Sequence, residues 1–257
     1  VTINRIVLVR HGESVANVAA AEAEGRGEEV IDAGFRDADV PLSPTGEEQA
    51  AALGRWIAEN RDTVEGATLF SSPYLRAHQT ILHGLAEAGI SAPVTVDDRL
   101  RDRELGILDL LTSTGVAARC PGEEERRRWL GKFYYRPPGG ESWVDVALRV
   151  RSFLRDAVVE TPGSSGPDGS GADDTVLFIA THDAVVMLFL YVCLGMSEAD
   201  LLDFAHSNTV LNASITTLVR APGDDRWQLE QFAHAGHLVA EGATVTEHSG
   251  DEDVHPE

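Results

Sequence analysis

Short runs of apolar, β-branched residues alternate along the chain with longer stretches whose apolar positions recur every three or four residues. The runs over 3–9, 67–70, 94–96, 176–180, 214–219 and 227–232 have the length and composition of strands. Between them, "LSPTGEEQAAALGRWIAEN" predicts a helix. Ser43 or Thr45 is placed to cap it, Thr45 and Glu48 have capping-box spacing, and Ala50, Leu53 and Ile57 share one face. "SSPYLRAHQTILHGLAEAG" repeats the design, with Ser72 as cap, Pro73 in the first turn and Gly89 as the stop. The apolar run "AVVMLFLYVCLGM" is shorter than the ~20 residues that cross a bilayer, and it reads as a buried helix. Strands alternating with helices predict an α/β fold with its sheet covered on both faces.

Composition narrows the class. The 257 residues, 43% hydrophobic and 25% charged, fit one globular domain over about 1–240. Segments near 20–39 and 107–140 read as insertions. The Gly/Ser/Pro stretch 161–174 reads as a flexible loop, and the acidic end 241–257 as a mobile tail. A net charge of −21 repels nucleic acid and anionic membranes. The two cysteines, Cys120 and Cys193, lack metal or redox spacing and suit a reducing cytoplasm. The first residues read as a strand and not as a charged and apolar leader. Oligomeric state is open, with a homodimer among the options.

Candidate chemistry gathers where three expected strands end. "RHGES", "SSPYLRA" and "THDAVV" each follow an apolar run, and open α/β sheets place their sites beyond the carboxyl ends of strands. Arg10 and Arg76 offer forked donors for a phosphoryl group. A neutral imidazole at His11 could attack phosphorus, and His182 could stabilise charge on its oxygens.

These segments, together with Gly46 and Gln49 in "LSPTGEEQA", "LRDRELG" and "GGES", resemble in order the motifs of the histidine phosphatase superfamily, phosphoglycerate-mutase-like, branch 1. The resemblance spans residue 3 to about 219. It implies a three-layer α/β/α sandwich with a mostly parallel sheet, and a phosphomonoesterase that needs no metal or cofactor and acts on a small phosphorylated substrate. His11 matches the position that becomes phosphohistidine. Arg10, Arg76, His182 and Asn17 match the phosphate ligands, and Glu141 matches a glutamate expected to orient a pocket histidine or arginine. Glu141 could instead open the following helix.

One position departs from the family pattern. Where L-x-E-x-x-x-G carries its acid, this chain has Asp102, one methylene shorter. Asp183, directly after His182, forms the "HD" pair that carries the acid in another branch of the superfamily, or caps the next helix. Glu104 ranks third as proton donor. Tyr134, Tyr135 and Arg136 read as core-edge or substrate-side residues, and Arg126, Arg127 and Arg128 as a solvated helix face. His234 and His237 read as surface histidines. The rival readings are a phosphoglycerate mutase and a non-catalytic phosphate-binding module.

Overall fold

Alternation along single strands divides the core in two. In β1 (Ile3–Arg10), Ile6 and Leu8 pack to one side with Phe70, Leu177, Ile179 and Leu218. Val7 and Val9 pack to the other with Leu69, Phe178 and Ala180. The period of two that marks these runs as strands therefore builds a sheet buried on both faces. The computed structural model describes residues 3–160, 175–221 and 226–248.

The other strands are β2 (Thr68–Ser71), β3 (Val94–Val96), β4 (Thr175–Thr181), β5 (Ile215–Val219) and β6 (Gln228–His234). The sheet has the order β3-β2-β4-β1-β5-β6. β3, β2, β4 and β1 run parallel, and β5 pairs antiparallel with both β1 and β6. All six strands among the described residues match the runs expected from the sequence.

The helices are α1 (Val15–Arg26), α2 (Pro44–Glu59), α3 (Arg61–Glu65), α4 (Leu75–Glu87), α5 (Ser113–Arg119), α6 (Pro121–Leu130), α7 (Trp143–Glu160), α8 (Asp183–Leu194), α9 (Glu198–Ser207) and α10 (Gly236–Ala240). Buried residues of α7, α8 and α9 cover one face of the sheet, and those of α2, α3 and α4 the other. The layered α/β/α arrangement is the expected one, and the apolar run after His182 forms the buried α8.

Local capping follows the sequence only in part. Ser43, not Thr45, caps α2, its hydroxyl accepting from Gly46 N at 3.0 Å. The helix after β2 begins at Leu75, later than Ser72 and Pro73 suggest, with no side-chain cap. Ser72 instead accepts from Tyr74 N at 3.1 Å and lies 2.8 Å from His182 Nε2, so its hydroxyl is committed to a turn and to the site.

The stretches near 20–39 and 107–140 meet each other: Ile31 N donates to Leu110 O at 2.9 Å and Thr112 N to Glu29 O at 3.2 Å. The expected loop 161–174 and the tail beyond 248 lie outside the described residues. The first part of that tail does not run free as expected. Gln49 Nε2 donates to Thr244 O and Thr246 Oγ1 at 2.8 and 2.9 Å, and Asn212 N donates to Thr246 O at 3.2 Å.

Candidate active site

β2, β4 and β1 are neighbours, so their carboxyl ends open onto one place. The ladder continues past the strands: His11 N donates to Thr181 O and Ser72 N to Ala180 O, both at 2.9 Å. This register sets His11, Ser72 and His182 side by side. The rings of His11 and His182 lie 5.1 Å apart, and both side chains are buried.

His11 Nδ1 lies 2.7 Å from Gly12 O. A carbonyl only accepts, so Nδ1 holds the proton and Nε2 keeps its lone pair. Burial, reinforced by the positive field of Arg76, His182 and Arg10, pushes the His11 pKa well below its ordinary value. The imidazole is neutral, as a nucleophile must be.

Asp102 lies between Arg76 and His182. Its Oδ2 accepts from Arg76 Nη2 at 3.0 Å and lies 3.2 Å from His182 Nδ1. Burial works to raise the Asp102 pKa, but His182 and Arg76 outweigh it and hold the carboxyl well below the usual range. With Asp102 ionised, His182 carries its proton on Nδ1, and Ser72 donates its hydroxyl to Nε2 at 2.8 Å. Burial lowers the His182 pKa against the pull of Asp102.

Arg76, in the first turn of α4, is bracketed by carboxylates. Its Nη1 donates to Asp37 O at 2.7 Å and Asp37 Oδ1 at 2.9 Å. Arg10 is buried, with Nη1 donating to Val210 O and Nη2 to His248 O at 2.7 Å. Its Nε is buried with no partner among the described residues, a donor that an anion can satisfy.

The remaining candidates sort by position. Asn17 Oδ1 accepts from Ser14 N at 3.0 Å in the capping box of α1, which commits its oxygen and not its amide nitrogen. Glu104 Oε1 accepts from Tyr74 OH at 2.8 Å. Asp183 Oδ1 accepts from Ala184 N at 2.6 Å at the start of α8. Glu141 does not bond to Arg10, Arg76 or His182. It accepts from Arg101 Nη2 at 2.7 Å and Arg149 Nε at 3.1 Å, and Arg149 also donates to Arg99 O at 2.6 Å and Asp102 O at 3.1 Å. Glu141 thus pins the backbone that carries Asp102.

Among the second-rank residues, Tyr135 is fully buried and Tyr134 exposed, while Arg136 pairs with Asp145. Arg126, Arg127 and Arg128 ride on α6, where Arg128 pairs with Glu124 at 3.0 Å. His237, expected at the surface, is buried beside Leu238 because α10 packs onto α2 near Ala52.

Sequence reading missed Asp37, Tyr74, Ser72 as a histidine partner, and Arg149. A signal existed for Arg149 alone: it falls between Val146, Val150 and Phe153 on the buried stripe of α7.

His11, Asp102 and His182 offer ligand atoms within 4.8 Å of one another, a spacing that a metal ion could exploit. Arg76 already places a cation 3.0 Å from the shared carboxylate oxygen, and the positive charge beside the imidazoles suits an anion better.

Comparison with known proteins decides the family. The model of the histidine phosphatase superfamily, branch 1, matches residues 6–234. The chain belongs to this superfamily. It is 30% identical over 234 residues to a glucosyl-3-phosphoglycerate phosphatase of Mycobacterium tuberculosis, covering 88% of this chain and 92% of that protein. A 2,3-bisphosphoglycerate-dependent phosphoglycerate mutase of Gloeobacter violaceus is 36% identical over 156 residues, 60% of this chain and 63% of its own. Among solved structures, a mycobacterial glucosyl-3-phosphoglycerate phosphatase complexed with VO3 superposes with a TM-score of 0.67 at 26% identity, covering 90% of this chain and all of the other. This histidine phosphatase is a phosphomonoester hydrolase. No helix among its described residues is long and apolar enough to cross a membrane.

Proposed function

We propose that the chain hydrolyses a small phosphorylated metabolite through a phosphohistidine formed on His11, without a metal. The observation that carries this reading is the His11 ring itself: neutral, with Nδ1 tied to Gly12 O at 2.7 Å and Nε2 free to attack.

In the first step Nε2 attacks phosphorus in line, the P–N bond forms and the bond to the leaving oxygen breaks. Arg10, Arg76, Asn17 and His182 bind the equatorial oxygens. Arrival of the dianion draws Arg76 and His182 away from Asp102, and its negative field raises the carboxyl's pKa. The carboxyl, its pKa raised, takes up a proton from solvent and gives it to the departing alcohol oxygen. In the second step water attacks the phosphohistidine, its proton returns to Asp102, and the P–N bond breaks.

Asp102 is preferred over Asp183 and Glu104 because its Oδ2 lies between Arg76 and His182. The glucosyl-3-phosphoglycerate phosphatase of Mycobacterium tuberculosis matches along 88% of this chain, whereas the mutase match covers 60% of it. A structural relative has been solved as a complex with VO3, which agrees with a fold that takes up an oxyanion. The free thiols of Cys120 and Cys193 suit the cytoplasm.

The test is turnover of p-nitrophenyl phosphate in a chelator-treated preparation, with trapping of an acid-labile phosphoenzyme. Wild type turns over and traps phosphate, and His11→Ala loses about 10³-fold or more. Undiminished turnover by His11→Ala sinks the reading. Interconversion of phosphoglycerates without net hydrolysis would assign a mutase instead.

A further inference from the structure

We infer that Asp37 is an internal competitor of phosphate at Arg76, carried on an exposed turn that swings aside when substrate binds. The inference rests on the reading of Arg76 as a phosphate ligand.

The guanidinium of Arg76 is nearly enclosed, its side chain 6% exposed, and carboxylates hold both of its terminal nitrogens. Nη1 donates to Asp37 O and Oδ1 at 2.7 and 2.9 Å, and Nη2 faces Asp37 Oδ2 at 3.5 Å and Asp102 Oδ2 at 3.0 Å. Carboxylate and phosphate oxygens approach a guanidinium fork along the same directions. A phosphoryl oxygen cannot take Nη1 while Asp37 holds it, and two anions in contact there would repel. The Asp37 carboxylate stands where a phosphate oxygen belongs.

The segment that carries Asp37 is able to leave. It is anchored at Ala33, 5% exposed, and at Val40, fully buried. Between these anchors Gly34 has φ +67, Phe35 is 47% exposed, and Asp37–Asp39 form a single 3-10 turn. The Arg36–Asp39 pair lies out in solvent, so moving the turn uncovers little apolar surface. Asp102, by contrast, sits on backbone pinned by Arg149 and Glu141, so of the two segments that carry these carboxylates it is the Asp37 turn that moves.

The substitution Asp37→Asn keeps size and hydrogen bonding but removes the competing charge. The expected result is a fall of about 3- to 10-fold in the Kd for inorganic phosphate, read by thermal-shift titration, and in the KM for p-nitrophenyl phosphate. Product inhibition by phosphate strengthens in step, while Asp39→Asn, on the same turn but paired with Arg36, behaves as wild type. Unchanged or weaker phosphate binding by Asp37→Asn overturns the inference, because Asp37 would then serve only to orient Arg76. Asp37→Ala, read in the same titration, guards against an asparagine that keeps the old hydrogen bonds. If neither wild type nor variants bind phosphate or turn over, the phosphatase site and this inference fall together. If wild type does both and the variants match it, the inference alone falls.

Discussion

Asp102 shares one oxygen between Arg76 and His182, at 3.0 and 3.2 Å. A carboxylate paired with a guanidinium and facing an imidazole is a poor acid until something takes that pairing away, as a phosphoryl dianion would. Asp102→Asn is therefore expected to lower kcat/KM for alkyl phosphates by about 10²- to 10⁴-fold. The loss for p-nitrophenyl phosphate is expected to be much smaller, since its leaving group needs little protonation. Parallel assays of Asp183→Asn and Glu104→Gln assign the role: a leaving-group-dependent loss in either of those, with Asp102→Asn spared, moves the donor.

Arg149 holds that acid in place from behind. It is 9% exposed, donates to the carbonyls of Arg99 and Asp102, and pairs with Glu141. Arg149→Met leaves two carbonyls and a carboxylate without their donor, and a stability loss of about 3 kcal/mol is expected in urea unfolding. Among the molecules that fold, kcat for alkyl phosphates is expected to fall more than KM changes, because the loop that aims Asp102 loosens. Arg149→Lys carries the charge without the fork and is expected to restore only part of both. A variant with wild-type stability and kcat would show that the network is ornamental.

The strands were legible because short β-branched runs with a period of two admit few other structures, and Ile6, Val7, Leu8 and Val9 divide between two cores as that period requires. His11, His182, Arg76 and Asp102 were legible through motif order, the two histidines directly after a strand and the other two within motifs that follow one. What a side chain bonds to was less so. Glu141 turned to Arg101 and Arg149, and Gln49 took hold of Thr244 and Thr246, because such partners depend on where distant loops come to rest. Asp37 is one acidic residue among several in an acidic stretch, and nothing in its spacing sets it apart from Asp39. His237 lies on a five-residue helix, too short for a buried face to show as a period.

Two helical glycines separate close packing from helix propensity. A Cβ on Gly46 would lie 2.0 Å from Glu13 O, in the backbone that follows His11, whereas one on Gly25 would meet nothing within 4 Å. Gly25→Ala is expected to stabilise by about 0.5–1 kcal/mol. Gly46→Ala, despite the same helix gain, is expected to destabilise by about 1–3 kcal/mol. It should also reduce kcat/KM, because the shifted loop carries the Gly12 carbonyl that sets the His11 tautomer. Thermal unfolding and steady-state kinetics on both variants check this, and equal effects at the two positions would refute it.

Three buried histidines make the fold sensitive to mild acid. Burial lowers the pKa of His11 and His182 below 6.5, and burial with the nearby His234 lowers that of His237 to about 4. Below pH 6.5 the unfolded chain binds protons that these buried rings refuse, so stability is complete above 6.5 and declines as pH falls towards the folded-state values. Asp97, Asp102 and Asp145, whose pKa values are lowered from 3.8, add their own loss only at lower pH. Asp109, whose pKa burial raises from 3.8, works in the opposite direction, while the histidines supply the loss between 6.5 and about 4, for His237 about 3 kcal/mol. Urea unfolding across this range is expected to show stability falling with pH. His237→Leu, which removes one titrating ring but keeps an apolar side chain against Leu238, is expected to flatten that slope by about one proton. An unchanged slope would mean that the His237 ring is protonated in the folded protein.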